Sequence, residues 1–88
     1  MANSASAKKR IRQNETRRTQ NKVVRTKVRT AINQFEDALE SGDVDAAEEK
    51  FRAVEAQLDR AVNKGVWPRN RASRKTGRLA KRLNKLRG

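Results

Sequence analysis

Apolar residues recur every three or four positions in three segments of this 88-residue chain. That spacing places them on one face of an α-helix, whereas a half-buried strand would alternate apolar and polar residues. The apolar positions of the first segment are Val24, Val28, Ala31, Ile32, Phe35, Ala38 and Leu39. Those of the second segment are Val44, Ala47, Phe51, Val54, Leu58 and Ala61. Those of the third segment are Ala72, Leu79, Leu83 and Leu86, and Thr76 completes the helical spacing between Ala72 and Leu79. The sequence therefore predicts three amphipathic helices.

Glycine and proline separate the three segments. We expect Gly42 at the left-handed position that ends the first helix, and Asp43 as the cap of the second. Gly65 is expected to end the second helix, and Pro68 suits the first turn of the third, where its missing N–H is no loss. Connections this short favour antiparallel neighbours. The predicted fold is all-α, a three-helix antiparallel bundle with a long, N-terminally extended first helix, in a single domain over residues 1–88.

The first helix is predicted to extend beyond its own apolar face. Before Val23 the helical spacing meets Asn21, Arg17 and Asn14, and Ile11 is the one apolar residue there. A helix that starts near residue 6 or 7 would have about 34 residues and span about 50 Å. A helix that is polar all round needs a partner or is not stable. We therefore expect residues 1–22 to form a basic arm that projects from the bundle of residues 23–88 and frays in the free protein.

The charges are segregated along the chain. Residues 1–30 carry ten Lys or Arg and one acidic residue, residues 31–63 carry three and nine, and residues 64–88 carry ten and none. The net charge of +13 therefore resides in the two ends. Such segregation indicates a polyanionic partner, because a chain that needed only solubility would mix the two signs.

Helical phasing gathers the cations into rows. On the first helix, a row with spacings of four, three and four is formed by Arg18, Lys22, Arg25 and Arg29. On the third helix, an arc of about 100° beside the apolar face holds Arg71, Arg74, Arg78, Lys81, Arg82 and Lys85. Each pair of like charges four residues apart weakens an isolated helix by about 0.2–0.5 kcal/mol. A solvated face does not need this stacking, whereas a polyanion would neutralise it.

The composition narrows the kind of polyanion. Phe35 and Phe51 lie on apolar faces, and Trp67 is expected to cap the core, so stacking on single-stranded bases is not favoured. A membrane-surface helix needs apolar residues opposite its basic face, and bundle packing already uses them. Backbone-directed nucleic-acid binding remains, with Arg on phosphates and Asn or Gln on sugars and base edges. Two alternatives stay open: a nucleoid-type protein that compacts DNA, and a module that binds an acidic protein or membrane surface.

Catalytic groups are scarce. The chain has no His, Cys or Tyr, so a thiolate metal site is excluded and acid–base chemistry lacks partners. The remaining carboxylates include Glu48, Glu49, Glu55 and Asp59, which we predict on the solvent face of the second helix, turned away from the polyanion. No apolar run approaches the roughly 18 residues that span a bilayer, and no signal peptide is evident. We expect a cytoplasmic, non-enzymatic protein without cofactor, metal, membrane contact or small-molecule substrate.

Short motifs occur along the whole chain in a characteristic order and spacing. They are Met1–Asn3 and Ser6–Glu15 (SAKKRIRQNE), Arg17-Arg18, Asn21-Lys22, Ser41–Asp43, Ala61–Val66 (AVNKGV), Asn70–Lys75 (NRASRK) and Arg78-Leu79. In these motifs the chain resembles the bacterial small-subunit ribosomal protein S20 family. It departs from the family pattern at Ser4-Ala5, where an apolar-basic pair is typical, and at Trp67-Pro68-Arg69, where an aliphatic residue, His and Lys are typical.

The resemblance implies a structural protein of the ribosome that binds small-subunit (16S) ribosomal RNA directly and supports small-subunit assembly beside its other components. The matched positions that would contact RNA are Lys8, Lys9, Arg10, Arg12, Arg17, Arg18, Lys22, Asn70, Arg74 and Arg78. With the helical rows and neighbouring polar side chains included, the predicted RNA-binding residues are Lys8, Lys9, Arg10, Arg12, Gln13, Asn14, Arg17, Arg18, Asn21, Lys22, Arg25, Arg29, Arg69, Asn70, Arg71, Arg74, Lys75, Arg78, Lys81, Arg82 and Lys85.

Overall fold

Three helices make up almost all of the fold. The computed structural model describes residues 2–88, so Met1, the first residue of the expected arm, lies outside it. The helices are α1 (Ala2–Ser41), α2 (Val44–Asn63) and α3 (Arg69–Arg87), with no strand in the described chain. The all-α prediction is confirmed. α1 begins four or five residues earlier than expected, because residues 2–7 contain no Gly or Pro to stop a helix.

The two turns follow the chemistry of their residues. Gly42 has φ +74°, and the Asp43 carboxylate accepts a hydrogen bond of 3.1 Å from the Ala46 N–H at the start of α2. Gly65 has φ +72° and follows the C-cap of α2. Pro68 lies at the N-cap of α3, with ψ 141°, and is therefore one residue earlier than predicted. Its extended backbone precedes the first helical residue, and its carbonyl accepts from the Ala72 N–H at 3.0 Å.

α2 packs against both other helices, whereas α1 and α3 contact each other far less. Near the first turn, the rings of Phe35 and Phe51 lie 5.6 Å apart at 49°, which joins the end of α1 to the start of α2. At the C-terminal end of α3, the Arg87 side chain forms an ion pair with Glu48 near the start of α2. Each contact joins the C-terminal part of α1 or α3 to the N-terminal part of α2, so α2 runs antiparallel to its two neighbours. This arrangement confirms the predicted three-helix antiparallel bundle.

The hydrophobic core lies on the predicted faces of the three helices. Its buried members are Val24, Val28, Ala31, Ile32, Phe35, Ala38, Ala47, Val54, Leu58, Ala61, Ala72, Leu79 and Leu83. Leu39, Phe51, Trp67 and Leu86 are partly buried and pack against this core, so Trp67 does cap it as expected. Within residues 2–88, no helix has an apolar stretch of the length and hydropathy needed to cross a membrane.

The N-terminal half of α1 lies outside the core. Every side chain from residue 7 to residue 20 is exposed, and the first buried residue is Val24. Ile11, the apolar residue of this stretch, is 55% exposed. The molecule is consequently elongated, with extents of 67 × 22 × 13 Å and a radius of gyration of 17.8 Å. A compact domain of this length would have a radius of gyration of about 12 Å.

Candidate nucleic-acid interface

One ion pair links the basic arc of α3 to the face of α1 that bears the basic row. Arg82 in the arc forms an ion pair of 3.4 Å with Glu36 on α1. Glu36 follows Arg29 by seven residues, which is two helical turns, so the row and Glu36 share a face of α1. Arg78 and Arg71 lie one and three turns before Arg82 on the same side of α3. The ion pair therefore joins the face of α1 that bears the row to the side of α3 that bears the arc, while Arg71, Arg74 and Arg78 line an open groove beside Trp67.

The sign of the charge changes along this face of α1. Toward the C-terminal end of α1, a groove is lined by Leu39 and Glu40 opposite Lys85 and Leu86 of α3. Here acidic residues of α1 meet basic residues of α3. Earlier on the same face of α1, the row from Arg18 to Arg29 replaces the acids. Opposite charges thus occur where α1 and α3 meet, and positive charge that no carboxylate among residues 2–88 neutralises lies further along α1 and α3.

Few of these cations are neutralised within the protein. The chain has 23 Lys and Arg residues, and among residues 2–88 carboxylates pair with two of them, Arg82 and Arg87. The Arg87 Nε–Glu48 Oε1 distance is 2.9 Å, and Arg87 also donates to the Asn84 side chain at 3.1 Å. The Arg82 and Glu36 side chains are 50% and 40% exposed, so solvent screens their attraction. The interface therefore retains most of its positive charge.

On the N-terminal half of α1 the cations surround the helix instead of forming a row. At about 100° per residue, Lys8, Lys9, Arg10 and Arg12 span an arc of about 200°, and Arg17 and Arg18 extend the distribution around the helix. Three threonine hydroxyls of α1 donate to carbonyls four residues earlier at 2.9 Å, at Thr16, Thr19 and Thr26. Because these hydroxyls are satisfied by the helix itself, the outward-facing donors are those of Lys, Arg, Asn and Gln.

The structure exposes nearly all the predicted contact residues. Asn21 and Lys75 are half-buried, and the other nineteen are exposed. Arg69 is not brought together with the rest, because it lines the groove between α2 and α3 beside Glu55 and Asp59. The Glu49, Glu55 and Asp59 side chains are exposed on α2 as predicted, but Glu48 is half-buried and paired with Arg87.

Two features of the surface were missed by the sequence reasoning. The first is a basic cluster where α1 meets the end of α2, lined by Lys27, Arg60 and Lys64. Antiparallel pairing about the turn at Gly42 could have brought Lys27 and Arg60 together, but α2 was treated as acidic throughout. The second is Arg71, whose guanidinium carbon lies 4.4 Å from the centroid of the Trp67 ring. The separation of four residues between Trp67 and Arg71 was the sequence signal that could have indicated this contact.

The remaining chemistry of the surface is simple. Within the described part of the chain, no group of three or more acidic side chains is placed to hold a metal ion. The fold and the surface together define an elongated, strongly basic, all-helical protein whose cations are mostly unpaired within residues 2–88.

The sequence comparisons identify the family. The profile of the family described as Ribosomal protein S20 matches residues 2–84, and the chain belongs to this family. Proteins named "Small ribosomal subunit protein bS20" from Brucella canis (strain ATCC 23365 / NCTC 10854 / RM-666) and Brucella suis biovar 1 (strain 1330) are each 52% identical over 86 residues, covering 98% of both chains. The protein of that name from Thermobifida fusca (strain YX) is 49% identical over 86 residues, covering 98% of this chain and 94% of its own. The family resemblance is confirmed, and the chain is a structural protein of the ribosome.

Proposed function

We propose that this chain is a component of the small ribosomal subunit that binds 16S ribosomal RNA directly and supports assembly of the subunit. The observation that carries the proposal is the exposure of nineteen of the 21 predicted contact residues, together with the pairing of only two of the 23 Lys and Arg residues with carboxylates within residues 2–88. The ribose–phosphate backbone of RNA supplies the negative charge that balances these cations. The names of the relatives place them in the small subunit, which is consistent with this partner and with a location in ribosomes of the cytoplasm.

Three surfaces have different roles in the proposed complex. The arm of residues 1–22 contacts RNA on several sides, because its cations surround the helix. The bundle of residues 23–88 presents the arc of α3 and the end of the α1 row, Arg25 and Arg29, to the RNA. The acidic side of α2, with Glu49 and Glu55 exposed, faces away from the RNA because phosphates repel it.

The contacts themselves are directed at the RNA backbone. Arginine forks donate two parallel hydrogen bonds to phosphate oxygens, and Asn or Gln side chains reach sugars and base edges. Most of the binding free energy then comes from counterions that the RNA releases. RNA also stabilises the ordered helices by mass action, since it binds the folded state and not the unfolded one.

Charge reversal on one face tests the proposed orientation. We expect Arg74→Glu with Arg78→Glu to weaken binding to a 16S RNA fragment by about a hundredfold, since two phosphate contacts become repulsions. The control is Lys50→Glu with Arg52→Glu, which changes the net charge by the same amount on α2. Its effect should stay within about fivefold, because screening limits the action of distant charges. Equal losses in the two variants would show that the chosen faces are wrong.

Salt dependence and competitor nucleic acids test the kind of partner. The logarithm of the binding constant should fall linearly with the logarithm of salt concentration, by about 0.7–0.9 for each phosphate contacted. A flat response would contradict the electrostatic mechanism. The wild-type protein should prefer structured 16S RNA over duplex DNA of equal length. Equal affinity for both would favour a DNA-compacting protein, and retention on ribosomal particles after RNase treatment would favour an acidic protein partner.

A further inference from the structure

Trp67 lies at the corner between α2 and α3, with one side toward the core and a cation over its ring. The ring is partly buried and packs against the hydrophobic core. The guanidinium carbon of Arg71, four residues later on the first turn of α3, lies over the ring at 4.4 Å from its centroid. With the core and Arg71 both against it, the ring is not available as a stacking platform for a base. Its contact with Arg71 is the feature to be explained.

Arg71 is restrained by this contact but keeps its hydrogen-bonding capacity. A guanidinium that stacks on an aromatic ring leaves its N–H donors free in the plane of the group. Among residues 7–88, neither ion pair and no side-chain hydrogen bond involves Arg71. The side chain is therefore fixed in place without using the donors that would recognise a ligand.

The surroundings of Arg71 define the ligand as an anion. Arg71 lines an open groove with Trp67, Asn70, Arg74, Lys75 and Arg78, and no carboxylate lines it. Four cations around one groove repel each other unless an anion lies between them. The stacked fork of Arg71 matches two oxygens of a phosphate, and the more mobile cations can contact the neighbouring phosphates.

We propose that Trp67 is a positioning residue that holds Arg71 ready to bind one backbone phosphate of RNA at the α2–α3 corner. The inference rests on the proposed RNA binding and adds to it a specific phosphate site and a role for the indole ring. A fixed guanidinium loses less conformational freedom on binding than a free one. Trp67 therefore contributes to affinity without touching the RNA.

A double-mutant cycle tests this coupling. Binding of a 16S RNA fragment is measured for the wild type, Trp67→Leu, Arg71→Lys and the double variant. Each single change should weaken binding by about two- to fivefold, the range of an exposed cation–π contact. The double variant should bind no more weakly than Arg71→Lys alone, because Trp67 acts through Arg71. Additive losses would overturn the proposal.

The matched control is Arg78→Lys, the same chemical change in the same groove without the ring. Its effect should add to that of Trp67→Leu. The salt slope gives an independent readout: Arg71→Ala should reduce its magnitude by about 0.7–0.9, whereas Trp67→Leu should leave it unchanged because the phosphate contact persists. A reduced slope in Trp67→Leu would show that the ring itself organises several contacts and would contradict a role through Arg71.

Two measurements separate this inference from folding effects and from the proposed function. Thermal unfolding is recorded for every variant, and Arg71→Lys leaves the core side of Trp67 untouched. Trp67 is the one tryptophan of the chain, so its fluorescence should change when RNA binds the wild type and change less in Arg71→Lys. If the wild type binds 16S RNA but Trp67→Leu binds equally well, the inference fails alone. If the wild type shows no RNA preference, the proposed function fails first.

Discussion

At the scale of single residues, glycine has opposite effects on stability at two positions. Gly42 has φ +74°, and a Cβ built there meets nothing within 4 Å. Gly77 lies inside α3, outside the positive-φ region, and its Cβ also meets nothing within 4 Å. Since neither site is crowded, the backbone conformation alone decides the effect of adding a side chain. A left-handed residue other than glycine costs about 1–2 kcal/mol, whereas alanine in a helix interior is favoured by about 0.8–1.0 kcal/mol.

We therefore predict stability changes of opposite sign for two Gly→Ala variants. Gly42→Ala should lower the free energy of unfolding by about 1–2 kcal/mol, and Gly77→Ala should raise it by about 0.8 kcal/mol. Urea denaturation followed by circular dichroism measures both. The two variants control for each other, and changes of the same sign would contradict the argument. RNA affinity of Gly77→Ala should stay unchanged, because Gly77 lines the groove between α2 and α3 and the added methyl group carries no charge.

Local chemistry made several individual residues predictable. Gly42, Asp43 and Gly65 have the roles expected of them, because a turn or cap depends on a few neighbouring residues. Pro68 was placed one position too late, since its fixed φ suits both the N-cap and the first turn. The contact between Trp67 and Arg71 was not predicted, because it depends on how the corner packs against the core.

At the scale of elements, α2 differs from its neighbours in how its charges relate to the helix dipole. α2 has the Asp43 cap and Asp45 at its start and Arg60 in its last turn, which agrees with the dipole. α3 has no acidic residue in its first turn and has Arg69 and Arg71 there instead. Such a mismatch costs about 0.3–1 kcal/mol per charge. α2, the helix that we propose to face away from RNA, thus has favourable charges at both ends, whereas α3 has them only in its last turn, at Lys85 and Arg87.

Asn70→Asp tests this trade-off between stability and binding. An acid on the first turn of α3 should raise the free energy of unfolding by about 0.3–1 kcal/mol and weaken RNA binding by about threefold to tenfold. Thermal unfolding and RNA titration measure the two effects. Asn33→Asp is the control, because Asn33 is exposed in α1 away from both ends, and its stability should change by less than about 0.5 kcal/mol. Loss of stability in Asn70→Asp would contradict the dipole argument.

The existence of the helices and their buried faces could be read from the sequence, but their arrangement could not. A period of 3.6 residues is a local property, and it identified every buried residue from Val24 to Leu83. Which helix packs between the other two depends on the shapes of all three faces together. The pairs Arg82–Glu36 and Arg87–Glu48, the cluster around Lys27 and Arg60, and the separation of Arg69 from the arc follow from that arrangement. They therefore required the structure.

At the scale of the whole molecule, stability and charge reside in different parts. All thirteen buried core residues lie between Val24 and Leu83. The exposed stretch from residue 7 to residue 20 buries nothing and carries six basic residues against one acidic residue. We therefore expect the bundle to fold without the stretch that extends furthest from it.

Removal of residues 2–16 should separate the two properties. The free energy of unfolding should change by less than about 0.5 kcal/mol, because no core contact is lost. RNA affinity should fall by more than about tenfold, because four cations are removed. Urea denaturation and RNA titration at one salt concentration measure the two quantities. A large loss of stability would show that the arm supports the bundle, and unchanged affinity would show that it does not contact RNA.

The length of α1 also has a consequence for the rates of binding. In physiological salt the field of an exposed charge is screened over about 8 Å. Cations close to the bundle therefore attract RNA only when it is already near the bundle. A helix of 40 residues carries its first cations tens of ångströms beyond the core, at about 1.5 Å per residue. An approaching RNA meets these charges first, and attraction at long reach raises the association rate. In the complex that we propose, the arm governs how fast RNA associates, and the cations of the bundle govern how long it stays bound.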